Sequence, residues 1–221
     1  ALLDKISSSI TPLLDEAAAP VDITRATTAI FYSISNTQTG LRGVSFGDSL
    51  IKHVVETLTA EFPRLRTFAT LSPIPGFRAW LGKHAGAMLD RLDDKRRSEL
   101  GRAVGFEPPQ ATHFLGALDK ALELDAKSPV RQMLLECAAY YLGRELQEGK
   151  PADPVARFHL GNGARVERLN WAGDPSGKGQ KQSYGLMVNY LYDLKRIDKH
   201  RSLLAQGLSL IHISEPTRPE R

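Results

Sequence analysis

Three stretches of this chain carry side chains whose types and spacing could do chemistry. The first runs strand, glycine-rich turn, helix: TAIFYSIS, then Gln38-Thr39-Gly40-Leu41-Arg42-Gly43-Val44-Ser45-Phe46-Gly47, then DSLIKHVV. The first turn of a helix leaves backbone N–H groups unpaired and carries partial positive charge, so it can hold a pyrophosphate. Glycines there let the backbone approach phosphates without a Cβ in the way, although the same spacing also serves as a plain turn between a core strand and a helix. The second is Ser72, at a strand end and fixed before Pro73. A residue before proline is driven to an extended conformation, and Pro73 and Pro75 together stiffen the turn. A hydroxyl held in this way can be aimed at a substrate, and an ordinary tight turn uses the same residue types. The third is His159 in Phe158-His159-Leu160, an imidazole in an otherwise apolar strand ahead of a Gly-Asn-Gly turn. It reads either as a structural group or as one that moves a proton near neutral pH. Spacing alone does not couple His159 to Ser72.

Other constellations fall away. His53, His84, His113 and His200 show no metal-ligand spacing with one another or with Cys137, and no metal site is expected. Ala172-Gly173-Asp174-Pro175-Ser176-Gly177-Lys178-Gly179 has a phosphate-loop look, but its first glycine is Ala172 and its Ser/Thr position is Gly179; it reads as a flexible loop. The chain has 221 residues, 42% hydrophobic and 24% charged, with a net charge of +4, which suits a globular domain with a real core. Lysines and arginines are interspersed with acids and form no arginine-rich arm, which argues against a nucleic-acid partner. No apolar run approaches the roughly 18 residues of a membrane span. A single cysteine excludes an internal disulfide framework and fits a reducing compartment.

These groups need a scaffold to position them. Leu2 to Leu14 reads as a short connection and a helix, and Thr27 to Ile34, rich in β-branched and aromatic residues, as a buried strand. Asp48 to Phe62 reads as an amphipathic helix with Leu50, Ile51, Val54, Val55 and Leu58 on one face, stopped by Pro63. Thr67 to Leu71 is a second strand. Pro129 opens a long helix whose apolar face is Val130, Met133, Leu134, Cys137, Ala138, Tyr141 and Leu142. Gly149 to Pro154 reads as a linker, and Val155–Leu160 with Ala164–Trp171 as a β-hairpin around the Gly-Asn-Gly turn. Tyr184 to Leu204 reads as an amphipathic segment. Ser209 to Pro219 resembles the peptide encoded by a common sequencing adapter, so 209–221 is expected to be a non-native tail.

AIFYSISNTQTGLRGVSFGDSLIKHVVETL, FPRLRTFATLSPIPGF and PVARFHLGNGARVERLNWAGD…GLMVNYLYDL, in that order, resemble the malonyl-CoA decarboxylase family. The resemblance runs from Ala1 to about Ala205, and LSPIPGF and FHLGNGA–NW are its most specific segments. The glycine loop is similar to the coenzyme A loop of GNAT-type acetyltransferases, with Ser45 in place of the inner glycine. The resemblance implies an α/β (α+β), GNAT-like acyl-CoA-binding fold: a mixed central sheet flanked by helices, with a helical insert at about 84–150, within a catalytic domain spanning 1–208 whose start is missing. It places the catalytic pair on Ser72 and His159, further substrate contacts on Ser33 and Tyr192, and coenzyme A contacts on Gln38, Arg42, Gly43, Val44, Ser45, Phe46 and Gly47. A position that can be acidic in relatives is Ser45 here. The implied reaction is decarboxylation of malonyl-CoA to acetyl-CoA and CO2 by a Ser/His pair, with no metal or organic cofactor and coenzyme A present only as part of the substrate. The resemblance also implies a homo-oligomer assembled through a preceding helical domain, no nucleic-acid or membrane partner, and a cytoplasmic, bacterial-type location, with mitochondrial and peroxisomal ones left open. Two other readings share the fold. One is an acyl-CoA-dependent acyltransferase, which would need an acceptor pocket and a base for an amine. The other is a coenzyme A-binding module without activity, a consequence of the missing start.

Overall fold

The computed structural model describes residues 1–15, 17, 22–32 and 47–206. Five segments pair into one mixed sheet: Leu2–Leu3 (β1), Thr28–Tyr32 (β2), Thr67–Pro73 (β3), Arg165–Asn170 (β6) and Met187–Tyr192 (β7), in the spatial order β1-β2-β3-β7-β6. Two further short strands, Leu146–Gln147 (β4) and Lys150–Pro151 (β5), form a separate hairpin. β2 and β3 run parallel, joined by a crossover that contains helix α1 (Gly47–Glu61); every other pairing in the sheet is antiparallel. β3 is thus the central strand, hydrogen-bonded to a parallel neighbour on one side and an antiparallel one on the other.

The two faces of the sheet are covered differently. Ala29, Phe68, Val188, Tyr190 and Tyr192 point into the larger core, shared with Phe77, Leu81 and Leu89 of α2 (Phe77–Leu89), Leu100 of α3 (Asp94–Val104), Phe114 of α4 (Ala111–Ala117) and the buried face of α5 (Pro129–Arg144). Ile30, Ala69, Leu71 and Met187 point the other way, into a smaller cluster closed by Leu3, Ile6, Ile10 and Leu13 of the N-terminal segment. Alternate residues of one strand therefore serve two cores, as the period-2 geometry of a strand requires. α5 buries all seven of the residues its periodicity predicts, and Cys137 among them is fully enclosed, its thiol pushed up to about 12 by burial. That thiol is inert core material.

Several expectations need correction. Val155–Leu160 is not a strand but part of helix α6 (Pro154–Gly161). Asp153 caps that helix, accepting from the Val155 and Ala156 N–H groups at 3.0 and 2.8 Å, and Pro154 occupies its first turn, where the missing N–H costs nothing. The Gly-Asn-Gly turn ends α6 instead of joining two strands, and Ala164–Trp171 supplies β6, whose partner is β7. The expected linker at Gly149–Pro154 contains half of the β4–β5 hairpin, turned by Glu148 and Gly149, both at positive φ. Leu2–Leu14 forms β1 and a single 3-10 turn at Thr11–Leu13 instead of a helix. Tyr184–Leu204 divides into β7 and α8 (Ile197–Ala205), because Met187–Tyr192 is buried on both faces, between the two cores. Ala172–Gly179 is no flexible loop: Asp174 and Ser176 each accept a local backbone N–H, and Ser176 caps helix α7 (Gly177–Ser183). Ser72 does lie at a strand end, as the penultimate residue of β3, which runs two residues past Leu71.

The turn after α6 also docks α8. Gly163 has φ +81°, its carbonyl accepts from His200 Nδ1 at 3.0 Å, and a Cβ there would meet the Ile197 carbonyl oxygen at 2.8 Å. Gly163→Ala therefore combines a left-handed backbone penalty with a backbone clash. It should lower the unfolding free energy by at least about 2 kcal/mol in urea denaturation. A loss below 0.5 kcal/mol would show that the turn relaxes freely.

Candidate active site

Ser72 and His159, 87 residues apart in sequence, meet in space: Ser72 Oγ lies 3.3 Å from His159 Nε2. Three elements bring them together. In the β3–β7 ladder Phe68 faces Tyr192 and Ser72 faces Val188, which sets Thr70 opposite Tyr190. Alternation then places Thr70, Ser72, Tyr190 and Tyr192 on the same face of the sheet. α6 lies against that face with Ala156, His159 and Leu160 buried, the i, i+3, i+4 stripe of a helix. His159 is the polar member of the stripe, and it meets a polar patch of the sheet.

The imidazole is held on every side. Its Nδ1 lies 2.7 Å from Tyr192 Oη, and its plane stacks on the Tyr190 ring at 4.6 Å between centroids and 26° between planes. Phe158 meets it edge-on at 5.0 Å. Burial pulls the His159 pKa down to about 3, so the ring is neutral through the physiological range and carries a proton on one nitrogen only. Ser72 Oγ also donates to Thr70 Oγ1 at 2.9 Å. Tyr192, Thr70, Ser72 and His159 are all buried. The result is a continuous chain of polar atoms, Tyr192–His159–Ser72–Thr70, enclosed by aromatic and aliphatic side chains.

Of the residues expected at the site, Ser72, His159 and Tyr192 come together. Ser33 and the loop residues Gln38, Arg42, Gly43, Val44, Ser45 and Phe46 lie outside the described residues. Gly47 is the first described residue of α1. Among the described residues no three His, Cys, Asp or Glu side chains are grouped to hold a metal ion.

Sequence reasoning missed Thr70, Tyr190 and Asp153. The i±2 spacing of Thr70 from Ser72 and of Tyr190 from Tyr192 pointed to a shared face, and Asp153-Pro154 is a helix-start signature. Asp153 is fully buried, and that burial raises its carboxyl to about 6, with the backbone N–H groups of Ala156, Val155 and Gly76 and then Arg157 pulling it back down. The two buried groups respond to pH in opposite senses. His159, depressed from 6.5, binds protons more tightly in the unfolded chain, so its contribution to stability is lost as pH falls from about 6.5 toward 3. Asp153, raised from 3.8, binds protons more tightly in the folded chain, so its burial costs stability as pH rises from 3.8 through about 6. Asp153→Asn keeps a capping oxygen and removes the buried charge. The stability of this variant relative to the parent should rise by on the order of 2 kcal/mol between pH 4 and pH 7, measured by denaturant titration at each pH. A difference independent of pH would mean that Asp153 does not titrate in this window.

Comparison with known proteins places these features in a family context. The profile of the family described as malonyl-CoA decarboxylase C-terminal domain matches residues 1–215. The mitochondrial malonyl-CoA decarboxylase of Anser anser anser is 39% identical over 207 residues, covering 88% of this chain and 40% of that protein. The crystal structure of malonyl-CoA decarboxylase from Cupriavidus metallidurans superposes with a TM-score of 0.81 at 47% identity, covering 94% of this chain and 50% of that one. The enzyme from Rhodopseudomonas palustris gives a TM-score of 0.73 at 44% identity, covering 93% and 45%. The chain thus spans between about two fifths and one half of the length of these relatives.

Proposed function

The chain belongs to the malonyl-CoA decarboxylase family, as its C-terminal domain, and from that membership we propose that it carries the site at which malonyl-CoA is decarboxylated to acetyl-CoA and CO2. The observation that carries the reading is the buried contact between Ser72 Oγ and His159 Nε2.

The chemistry asks little of a cofactor. As the bond between the α-carbon and the carboxylate breaks, its electron pair moves into the thioester carbonyl to give an enolate, and CO2 departs. The enolate then collapses, and the α-carbon takes up one proton. The protein must orient the leaving carboxylate and deliver that proton. In this reading Ser72 contacts the malonyl group and His159 supplies the proton, directly or through the Ser72 hydroxyl. His159 acts from its neutral form, as its burial dictates: the Nε2 proton leaves toward Ser72 as the Tyr192 hydroxyl gives its own to Nδ1, and solvent restores the Tyr192 proton after CO2 has gone. The Tyr192 hydroxyl on Nδ1 fixes the ring and can return a proton to it. A dry, aromatic enclosure favours loss of a carboxylate, because CO2 is neutral and the charge spreads into the enolate. No covalent acyl-serine is needed. The coenzyme A phosphates are assigned to the loop of Gln38, Arg42, Gly43, Val44, Ser45, Phe46 and Gly47 leading into α1, and Ser33 to the malonyl end. A bacterial, cytoplasmic setting belongs to the same reading; bacterial and mitochondrial relatives both match the chain.

The test is CO2 and acetyl-CoA release from malonyl-CoA by a protein of the relatives' length that carries this chain. Ser72→Ala and His159→Asn should each lower kcat by about 10²- to 10⁴-fold while coenzyme A still binds, and a chelator should leave the parent's turnover unchanged. Near-normal turnover in both variants would remove the pair from the mechanism. Tight coenzyme A binding by the parent without CO2 release would point to a silent binding module.

A further inference from the structure

Among the described residues Ser72 Oγ has two polar neighbours, and the nearer one is Thr70: 2.9 Å to Thr70 Oγ1 against 3.3 Å to His159 Nε2. A serine side chain has three staggered positions and loses little by rotating among them. The longer contact to an imidazole nitrogen is the weaker restraint. The orientation of the Ser72 hydroxyl therefore rests mainly on Thr70.

Thr70 is itself fixed from two directions. It is fully buried, and its hydroxyl oxygen accepts the backbone N–H of Tyr190 at 3.2 Å, a group that can only donate. Its carbonyl oxygen accepts from Asn189 Nδ2 at 2.8 Å. The same β7 residue whose N–H holds Thr70 stacks its ring against His159. One residue of β7 thus supports both members of the pair, the serine through Thr70 and the histidine through ring contact. A threonine whose only task was to pack a strand would have no reason to place its oxygen between that N–H and the serine.

We infer that Thr70 is a positioning residue: its hydroxyl, anchored on the Tyr190 N–H, holds Ser72 Oγ against His159. The inference rests on the decarboxylase reading of the pair. Thr70→Val keeps the shape and removes the oxygen. In a protein of the relatives' length it should lower kcat for malonyl-CoA about ten-fold with KM within two-fold of the parent, and Thr70→Ser should recover most of the loss. A double-mutant cycle separates positioning from mere packing. Because Thr70 acts through Ser72, adding Thr70→Val to Ser72→Ala should change the residual rate by less than two-fold. Thr70→Ala, which removes the same oxygen, carries the same expectation if the valine variant does not fold. An equal ten-fold loss in both backgrounds, or a parent-like kcat for folded Thr70→Val beside an impaired Ser72→Ala, overturns the inference and leaves the pair standing. Full turnover by Ser72→Ala overturns the reading of the pair and the inference with it.

Discussion

The register of β3 against β7 is the constraint on which the site depends. Four polar or aromatic residues, Thr70, Ser72, Tyr190 and Tyr192, share one face only because Phe68 pairs with Tyr192 and Ser72 with Val188. A slip of one residue would turn Ser72 into the cluster of Ile30, Leu71 and Met187 and bring Leu71 beneath His159. The register is secured twice over. Apolar side chains fill both faces, and Asn189 on β7 reaches across to the Thr70 carbonyl, a hydrogen bond that only one alignment allows. The polar chain around His159 is a by-product of that alignment more than of any local loop.

α6 meets the sheet under an electrostatic tension. It brings an imidazole to a place where the protonated form is strongly disfavoured, and it begins with a carboxylate buried as completely as the ring. The carboxylate is tolerated because two helix N–H groups take one of its oxygens at 3.0 and 2.8 Å, where the helix dipole also favours negative charge. The imidazole is tolerated because neutrality costs it little, and both its nitrogens have neighbours of suitable polarity, Tyr192 and Ser72. Burial thus makes the histidine a neutral group whose proton is positioned instead of a charged one exchanging with solvent.

Much of this was legible in the sequence, and the failures share a cause. α5 followed directly from Pro129 and seven apolar residues at helical spacing, and β2, α1 and β3 followed from β-branched runs on either side of an amphipathic stretch. Ser72 and His159 could be named separately, but their meeting depends on a contact across 87 residues, which no local pattern contains. α6 was misread because FHLGNGA has the outline of a strand and a hairpin turn; the cap at Asp153 and the proline behind it were the stronger signal. β7 was misread for the opposite reason: a strand buried on both faces loses the alternation that identifies strands. Thr70 and Tyr190 gain their meaning only from the register, and the register is not local.

The N-terminal segment that closes the back of the sheet has a bearing on how the chain assembles. Asn189 holds the Ser7 carbonyl at 3.1 Å across 182 residues, and Arg168 reaches the Ile6 carbonyl at 3.3 Å. The Ile10 N–H bonds to the Gly173 carbonyl at 2.8 Å. Every one of these anchors lies in the last quarter of the sequence. The apolar side chains of this N-terminal segment cannot be covered until β6 and β7 have formed and paired. Long-range closure of this kind slows folding and lengthens exposure to aggregation. The strand that completes the face carrying Ser72 is also the one that lets the opposite face close, so the pairing of β7 serves both.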